Sequence, residues 1–346
     1  MDAFLRMPVN DRRLACLTVA EQKRLQAASV DKDFWVCWTL RELVNLPDIG
    51  NRITFKGGTS LAKAWGLIDR FSEDIDLVVD KDTLGFAGDA SPDQAPSNKQ
   101  RRRRLDELMA ACRAWVQDRL RPALEKAMHK RFGTNDGWKL EVDPDMADGQ
   151  CLLFHYPGAF PATEAGYVRP VVRIELGARS DDWPSQARTI TPYVAEVLPQ
   201  AIPDAVFSVS SLAPERTFWE KAMLLHEETF RPADKPRKER MARHYYDVWC
   251  LITRGIADRA AADRALFDRV LAHREIFFRL GWVDYATLRP GSLRLTPPPE
   301  HREAWQKDYA EMAETMFYGE RPGFGEILRV VGEFEKRFNQ EVAASS

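Results

Sequence analysis

The sequence has few of the features that mark secreted, membrane-bound or zinc-binding proteins. Its five cysteines are scattered and form no C-x-x-C pair, which argues against both a disulfide framework and a zinc ribbon. No apolar run approaches the ~20 residues that a membrane helix requires. The opening stretch MDAFLRMPVNDRRLAC also lacks the apolar core of a signal peptide. We therefore expect a cytoplasmic protein with no membrane partner.

An excess of positive charge is also missing. The chain has 50 Lys and Arg against 52 Asp and Glu, a formal net charge of −2, which argues against a uniformly basic nucleic-acid binder. Two local basic clusters remain, KQRRRR at residues 99–104 and RPADKPRKERMAR at residues 231–243. Each cluster either solvates a loop or helix start or contacts a phosphate backbone, and the second role would make binding depend on salt.

The length of 346 residues suggests two domains, at roughly 100–200 residues per domain. The residue pattern changes from mixed α/β to helical near residue 205. We therefore predict domains at residues 1–204 and 205–346. The pattern also predicts one helix over residues 18–47, a further strand within TITPYVAEVL, and helices almost to the end from SSLAPERTFWEKAMLLHEETF onward.

The stretch FKGGTSLAKAWGLIDRFSEDIDLVVD combines a double glycine with two nearby aspartates. Gly57 and Gly58 allow the backbone to turn sharply and to approach a ligand. Thr59 or Ser60 is placed to cap the helix that follows, whose first amides form an anion site. An ordinary strand-to-helix turn is the alternative. The stretch is not a P-loop, because that pattern needs a second glycine directly before its lysine.

Asp74 and Asp76 lie two residues apart in a predicted strand, so their side chains project from the same face. Two carboxylates this close are unfavourable unless a cation or a basic group neutralises them. Mg²⁺ takes one or two carboxylates and completes its shell with phosphates and water. The pair therefore indicates a metal site, with a solvated strand end as the alternative.

The two signals together resemble the AbiEii/AbiGii nucleotidyltransferase toxin family, which includes the MenT toxins. The matching letters are KGGTSL at residues 56–61 and RFSEDIDL at residues 70–77. The resemblance implies a DNA polymerase β-like nucleotidyltransferase that uses an NTP and two Mg²⁺ ions. It also implies a toxin that adds nucleotides to the tRNA acceptor end, paired with an AbiEi-like antitoxin.

A site of this type needs a third carboxylate on a neighbouring strand. Glu175, in the apolar run VVRIELGAR, is the first candidate, since an unpaired charge there would be costly. It shares a face with Arg173, so a simple ion pair is the alternative. The acidic residue that the family usually carries at this place favours Glu175. Glu141 in KLEVD is the second candidate.

The helical half of the family resembles ERTFWEKAMLLHEE and RHYYDVWCL. Lys221 falls on the apolar stripe of its predicted helix and either reaches the triphosphate or extends along an apolar surface to water. Asp247 lies among aromatic residues, and an ion pair with Arg243 one turn earlier is its simplest partner. His244 stands where the family usually has an acidic residue, which leaves the role of that position open.

These features predict an α+β protein, with a polymerase-β-like domain built on a mixed sheet and an all-α C-terminal domain, and with the active site between them. We predict catalytic roles for Asp74, Asp76, Glu175, Lys221 and Asp247. The predicted nucleotide-binding residues are Lys56, Gly57, Gly58, Thr59, Ser60, Ser72 and Lys221. Ser72 is also a candidate for silencing by phosphorylation, which the resemblance to MenT toxins suggests. Transfer to a protein or small molecule, a carboxylate-metal nuclease, and a non-catalytic binding module are the alternatives.

Overall fold

The structure is a computed structural model that describes residues 1–133, 137–161, 163, 168–317 and 321–340. The chain divides into two compact units. The first unit contains Met1–Trp65 and Phe71–Leu212, and the second contains Gly66–Arg70 and Ala213–Ser346. The sequence placed the division between residues 204 and 205 and did not separate Gly66–Arg70 from its neighbours.

The first unit is built on a mixed seven-stranded sheet in the order β3-β4-β5-β2-β1-β7-β6. The strands are β1 (Ile53–Lys56), β2 (Ile75–Val79), β3 (Lys139–Val142), β4 (Cys151–His155), β5 (Val171–Gly177), β6 (Ser185–Ile190) and β7 (Phe207–Leu212). The central strand β2 runs antiparallel to β1 and parallel to β5. Four of its five residues are buried, as expected for a strand in the middle of a covered sheet.

The helices of the first unit are α1 (Asp2–Arg6), α2 (Val9–Lys23), α3 (Ala27–Val44), α4 (Gly57–Lys63), α5 (Asn98–Trp115), α6 (Arg121–Phe132) and α7 (Tyr193–Val197). A π-helical turn, Val116–Leu120, joins α5 to α6. Helix α3 is buried along most of its length. Its Trp35 stacks on Tyr156 with 5.2 Å between ring centroids, and its Trp38 contacts Phe132 of α6 and Phe154 of β4. This aromatic cluster forms the core on one face of the sheet.

In the described part of the second unit, the long elements are helices. They are α8 (Pro214–Glu228), α9 (Arg243–Thr253), α10 (Ile256–Ala262), α11 (Arg264–Phe277), α12 (Arg302–Met316) and α13 (Phe324–Gln340). The core is again aromatic, because Trp219 of α8 contacts Phe267 of α11 and Phe338 of α13. The predicted fold class, α+β with a mixed sheet, is confirmed.

The structure corrects three predictions of local structure. The single helix over residues 18–47 is two helices, because Arg24 adopts a left-handed conformation (φ 55°) that stops α2. In TITPYVAEVL only the first two residues belong to a strand, and α7 follows Pro192, whose ring suits the position before a helix. SSL at residues 210–212 ends strand β7, where pairing with β1 and β6 outweighs the helical pattern.

Candidate active site

Three charged residues form one row across the centre of the sheet. Asp76 of β2 is the register partner of Lys56 on β1 and of Glu175 on β5. Register partners on neighbouring strands, which lie ~4.8 Å apart, point to the same face of a sheet. All three residues are half-buried. The fold therefore places one carboxylate between a lysine and a second carboxylate.

The glycine loop lies directly against this row. Gly57 has a φ of 79°, and a Cβ atom at this position would come within 2.7 Å of the Asp76 carboxyl carbon. Both the left-handed backbone and the lack of space require glycine. The glycine loop and the aspartate strand, which the sequence separates by about twenty residues, are thus in contact.

Asp74 lies one residue before β2, so the predicted strand begins later than expected. Its pKa is raised to about 7, first by burial and then by the negative charges of Asp76, Glu73 and Glu175. Like charges at short range disfavour ionisation. Asp76 and Glu175 are register partners on neighbouring strands, and their charges disfavour the ionised form of Asp74. A bound cation would relieve this repulsion.

Glu175 also faces Arg173, as the sequence suggested. Their closest atoms, Nη1 and Oε1, are 3.6 Å apart. Arg173 makes a shorter ion pair of 2.8 Å with the buried Asp143. The guanidinium is therefore shared, and Glu175 is not held by a tight bidentate pair with Arg173 alone.

The second candidate for the third carboxylate lies further away in the sheet. Glu141 on β3 is separated from β2 by the two strands β4 and β5. Its carboxylate pairs with His155 at 2.8 Å and with Lys139. The structure therefore brings Glu175, and not Glu141, next to Asp76.

The predicted capping role of Thr59 or Ser60 is wrong. Helix α4 begins at Gly57, and its N-cap is Lys56, which makes no side-chain capping bond. Both hydroxyl residues therefore lie inside the helix, where they are buried. Thr59 instead donates a hydrogen bond of 2.9 Å to the hydroxyl oxygen of Ser72. This bond ties the start of α4 to the segment that carries Asp74.

Two lysines near the loop have different partners. Lys56 donates a hydrogen bond of 2.7 Å to the Ser180 hydroxyl while remaining in the charged row. Lys63, at the end of α4, is buried and forms an ion pair of 2.9 Å with the equally buried Asp33. Lys63 therefore anchors α4 to α3, and Lys56 is the loop lysine that lies beside Asp76.

The second unit contains the remaining predicted residues. Asp247 on α9 is fully buried, and Arg70 donates to both of its carboxylate oxygens at 2.7 and 2.8 Å. Lys221 on α8 approaches one of the same oxygens at 2.9 Å. The structure thus brings Lys221 and Asp247 together, and it adds Arg70 from the start of the RFSEDIDL motif.

The ion pairs of Asp247 with Arg70 and Lys221 influence the pKa values of the side chains around them. Burial would raise the pKa of Asp247, but Arg70 and Lys221 outweigh it and hold that pKa far below its usual range. Burial lowers the pKa of Lys221, with Asp247 opposing the shift. Burial and the charge of Lys221 also lower the pKa of His244, which lies 3.4 Å from the lysine nitrogen. His244 is therefore a neutral neighbour of the lysine.

The predicted ion pair between Arg243 and Asp247 is not formed within the described residues. The Asp247 carboxylate is occupied by Arg70 and Lys221. A buried carboxylate is stabilised best by a planar bidentate guanidinium, which Arg70 supplies. The helical spacing of Arg243 and Asp247 alone did not reveal this long-range partner.

The model of one family, nucleotidyl transferase AbiEii toxin of the type IV toxin–antitoxin systems, matches residues 38–334. This match covers most of the chain, including the glycine loop, the aspartate strand, Lys221 and Asp247. The chain belongs to the AbiEii family. It is therefore a nucleotidyltransferase toxin, and the resemblance seen in the sequence is confirmed.

Comparison with solved structures and curated proteins adds little to the AbiEii assignment. One similar structure is MenT4, a nucleotidyltransferase toxin from Mycobacterium tuberculosis H37Rv, with 16% sequence identity and a TM-score of 0.35. The match covers 86% of this chain and 98% of that chain. No curated protein matches the sequence significantly. Within the described residues, none of the helices has the length and apolar character to cross a membrane.

The AbiEii family implies a divalent metal, for which the candidate site offers carboxylate oxygens as ligands. In the described chain, no group of three or more His, Cys, Asp or Glu side chains is arranged to hold a metal ion. Magnesium in enzymes is commonly held by one or two carboxylates together with substrate phosphates and water. Asp74 and Asp76 supply such a pair, and their crowding favours a cation. The residues present fit Mg²⁺ bound together with a nucleotide.

The two basic clusters of this AbiEii protein differ in how their charges are used. Arg102 and Arg103 on α5 are exposed, although Arg103 lies 3.4 Å from Glu107. In the second cluster, Arg231 and Arg237 bind Glu228, with nitrogen–oxygen distances of 2.7 and 3.2 Å. Arg102 and Arg103 of the first cluster are thus accessible to an external partner, while Arg231 and Arg237 of the second contribute to their own unit. The second cluster also has three exposed basic residues, Lys235, Lys238 and Arg240.

Two residues near the predicted site were missed by sequence reasoning. Arg70 is the first residue of the RFSEDIDL motif, and Lys32 belongs to α3. Lys32 is buried in α3 and forms an ion pair of 2.7 Å with Glu73, next to Asp74. A signal was present, since three consecutive charged residues, DKD at 31–33, interrupt a helix that is otherwise largely apolar.

Proposed function

We propose that this toxin transfers a nucleoside monophosphate from an NTP to the 3′ acceptor end of tRNA, with Mg²⁺ as its metal. The observation that carries the proposal is the contact of Gly57 with Asp76, in register with Glu175. A backbone that lacks a side chain beside carboxylates suits a ligand that brings both phosphate and metal. A carboxylate-metal nuclease has no need for this loop.

In the proposed reaction, the acceptor hydroxyl oxygen forms a bond to the α-phosphorus. The bond from this phosphorus to the bridging oxygen of the β-phosphate breaks, and pyrophosphate leaves. Asp74 and Asp76, with Glu175 beside them, would hold the metal, which supplies charge neutralisation at the phosphates. A Glu175 carboxylate oxygen accepts the proton of the attacking hydroxyl. The protein contributes chiefly positioning and electrostatic stabilisation.

The nucleotide is held by the loop and by lysines. The loop Gly57–Gly58 lets the triphosphate approach the backbone, and Lys56 adds a positive charge in the same row as Asp76. We also propose that Lys221 contributes to triphosphate binding. Asp247 holds the Lys221 ammonium, and the bidentate pair with Arg70 keeps Asp247 in place. A lysine that is already positioned loses less conformational freedom when it binds.

We propose tRNA as the acceptor because the resemblance to the AbiEii/AbiGii toxins implies it, and the exposed arginines at the start of α5 would suit its phosphate backbone. This assignment places the reaction in the cytoplasm, where tRNA is found. The type IV toxin–antitoxin family implies an antitoxin partner, and we propose an AbiEi-like protein for this role. Transfer to a protein or a small molecule is the second candidate.

The decisive experiment uses purified protein, Mg²⁺, each labelled NTP in turn, and total RNA. Resolving RNA from protein then shows where the label goes. We expect label on tRNA with one preferred NTP, and none without the divalent metal. Label on the protein fraction alone would favour the second candidate. Shortened RNA without incorporated label would identify a nuclease and contradict the proposal.

A further inference from the structure

The run Asp31-Lys32-Asp33 places three buried charges in the second turn of α3, and each is directed to a different part of the first unit. Asp31 accepts a hydrogen bond from the Ala159 amide at 2.9 Å, and Asp33 accepts one from the Tyr193 amide at 2.6 Å. Successive helical residues point about 100° apart. The three side chains therefore serve separate contacts, and only Lys32 points to the segment before β2.

Burial of the Lys32 ammonium is energetically unfavourable by itself. Its side chain is 4% exposed, and its nitrogen lies 2.7 Å from Oε2 of Glu73, which is 26% exposed. Removing an ammonium from water costs several kcal/mol unless a close opposite charge compensates. An apolar residue would fill this helix position without that cost. The partner of Lys32 is the residue directly before Asp74, and the positive charge of Lys32 lowers the pKa of the Asp74 carboxyl against the effect of burial.

Glu73 lies between two residues of the candidate site. Ser72 before it accepts the hydrogen bond from Thr59, and Asp74 after it belongs to the carboxylate cluster. The segment 72–74 precedes β2 and has no strand pairing of its own. Within the described chain, side-chain contacts at Ser72 and Glu73 therefore hold it on two sides, against α4 and against α3.

We propose that Lys32 is a positioning residue for nucleotidyl transfer, which acts through Glu73. The ion pair fixes the segment that carries Asp74, and it keeps the Glu73 carboxylate from acting as a competing metal ligand. The inference rests on the proposed function, because it assigns Lys32 a part in setting the metal-binding carboxylates. If the ion pair had only a structural role, its removal would leave metal affinity unchanged. If Lys32 is a positioning residue, its removal changes metal affinity.

The test measures Mn²⁺ binding to the nucleotide-free protein by calorimetry, together with melting temperature and the kcat and KM of transfer. In Lys32→Met an uncompensated carboxylate remains beside Asp74. We expect about fivefold tighter Mn²⁺ binding, as removal of one nearby positive charge implies, together with a kcat lower by about tenfold. These changes have opposite signs, whereas a general loss of structure would weaken both properties.

Further variants keep the test valid if Lys32→Met does not fold. Glu73→Gln should weaken Mn²⁺ binding by about fivefold, because it leaves the ammonium unpaired near Asp74. The double variant Lys32→Met/Glu73→Gln should return Mn²⁺ affinity to within about twofold of wild type, as expected for coupled residues. Lys32→Arg should preserve the wild-type Mn²⁺ affinity. Asp31→Asn is the matched control, since it removes a neighbouring buried charge directed elsewhere, and it should change melting temperature without changing Mn²⁺ affinity.

Two results would overturn the inference. If the wild-type protein binds Mn²⁺ and transfers nucleotide, but the Lys32 and Glu73 variants change only in melting temperature, Lys32 is a structural residue and the proposed function stands. If the wild-type protein neither binds Mn²⁺ nor transfers nucleotide, the proposed function fails, and the inference fails with it.

Discussion

Gly57 and Asp76 are so close that a methyl group on the first would overlap the carboxylate of the second. The Cβ position of Gly57 lies 2.7 Å from Cγ of Asp76. This contact joins the two halves of the motif in space and explains why a glycine must follow Lys56. It also makes Gly57 a sensitive point for testing the candidate site.

Gly57→Ala should therefore impair the enzyme strongly. The left-handed backbone alone costs an alanine about 1–2 kcal/mol, and the overlap displaces Asp76. We expect at least a tenfold loss of nucleotide transfer, with a lower melting temperature. Gly66→Ala is the matched control, because it also has a positive φ, of 61°, but has open space around its Cβ position. Equal activity losses in both variants would argue against a specific role for the Asp76 contact.

Asp74→Ala and Asp76→Ala should abolish incorporation of label from NTP. A metal that neutralises phosphate charge contributes several kcal/mol to transition-state stabilisation, so the loss should exceed about 100-fold. Circular dichroism should show an intact fold. Glu141→Ala is the control carboxylate, and it should retain activity because two strands, β4 and β5, separate it from β2. Retained activity in either aspartate variant would rule out this metal site.

Lys221→Ala should weaken NTP binding more than it lowers the melting temperature. Asp247 would still be held by the bidentate pair with Arg70, so its charge would not be left unpaired. Arg274→Met is the control, since Arg274 forms an ion pair with Glu227 at 2.5 Å elsewhere in the same unit. That variant should lower the melting temperature and leave NTP affinity unchanged. Unchanged NTP affinity in Lys221→Ala would assign Lys221 to structure alone.

The exposed arginines of residues 99–104 should contribute to RNA binding. Replacing Arg102 and Arg103 with Gln should reduce the slope of log K against log salt by roughly one for each lost phosphate contact. The same change at the exposed Lys307 and Arg329 controls for net charge and should leave the slope unchanged. Within residues 231–243 we expect a smaller effect, because Arg231 and Arg237 are engaged by Glu228. An unaltered slope for Arg102 and Arg103 would reduce that cluster to a solubilising surface.

Phosphorylation of Ser72 should silence transfer. A phosphate would add about −1.5 to −2 charges beside Asp74, at the oxygen that accepts the hydrogen bond from Thr59. Ser72→Glu should lose most activity, whereas Ser72→Ala should keep much of it and escape silencing. The protein is co-expressed with its antitoxin, and mass spectrometry then shows whether the Ser72 peptide is phosphorylated. An unmodified Ser72 together with a fully active Ser72→Glu variant would refute this regulation.

The local sequence was sufficient to predict the glycine loop and the aspartate strand, but not the boundaries of the helices around them. The double glycine and the Asp-Ile-Asp run predicted the loop, the strand and the family, because turn chemistry and strand alternation act over a few residues. The same reasoning misplaced the start of α4 and extended one helix through Arg24. Element boundaries depend on backbone conformations such as the left-handed φ of Arg24, which is uncommon for a residue other than glycine and has no signal in the local sequence.

The sequence by itself determined the family, the charged motif and the mixed class of the fold, since each rests on residues close together in the chain. Only the tertiary structure placed Glu175, and not Glu141, beside Asp76, because this placement depends on the order of the strands and on the register of β5 against β2. It alone joined Arg70 to Asp247 and Lys32 to Glu73. Buried charges must find partners wherever the fold supplies them, and spacing along the chain does not specify partners that lie far apart in sequence.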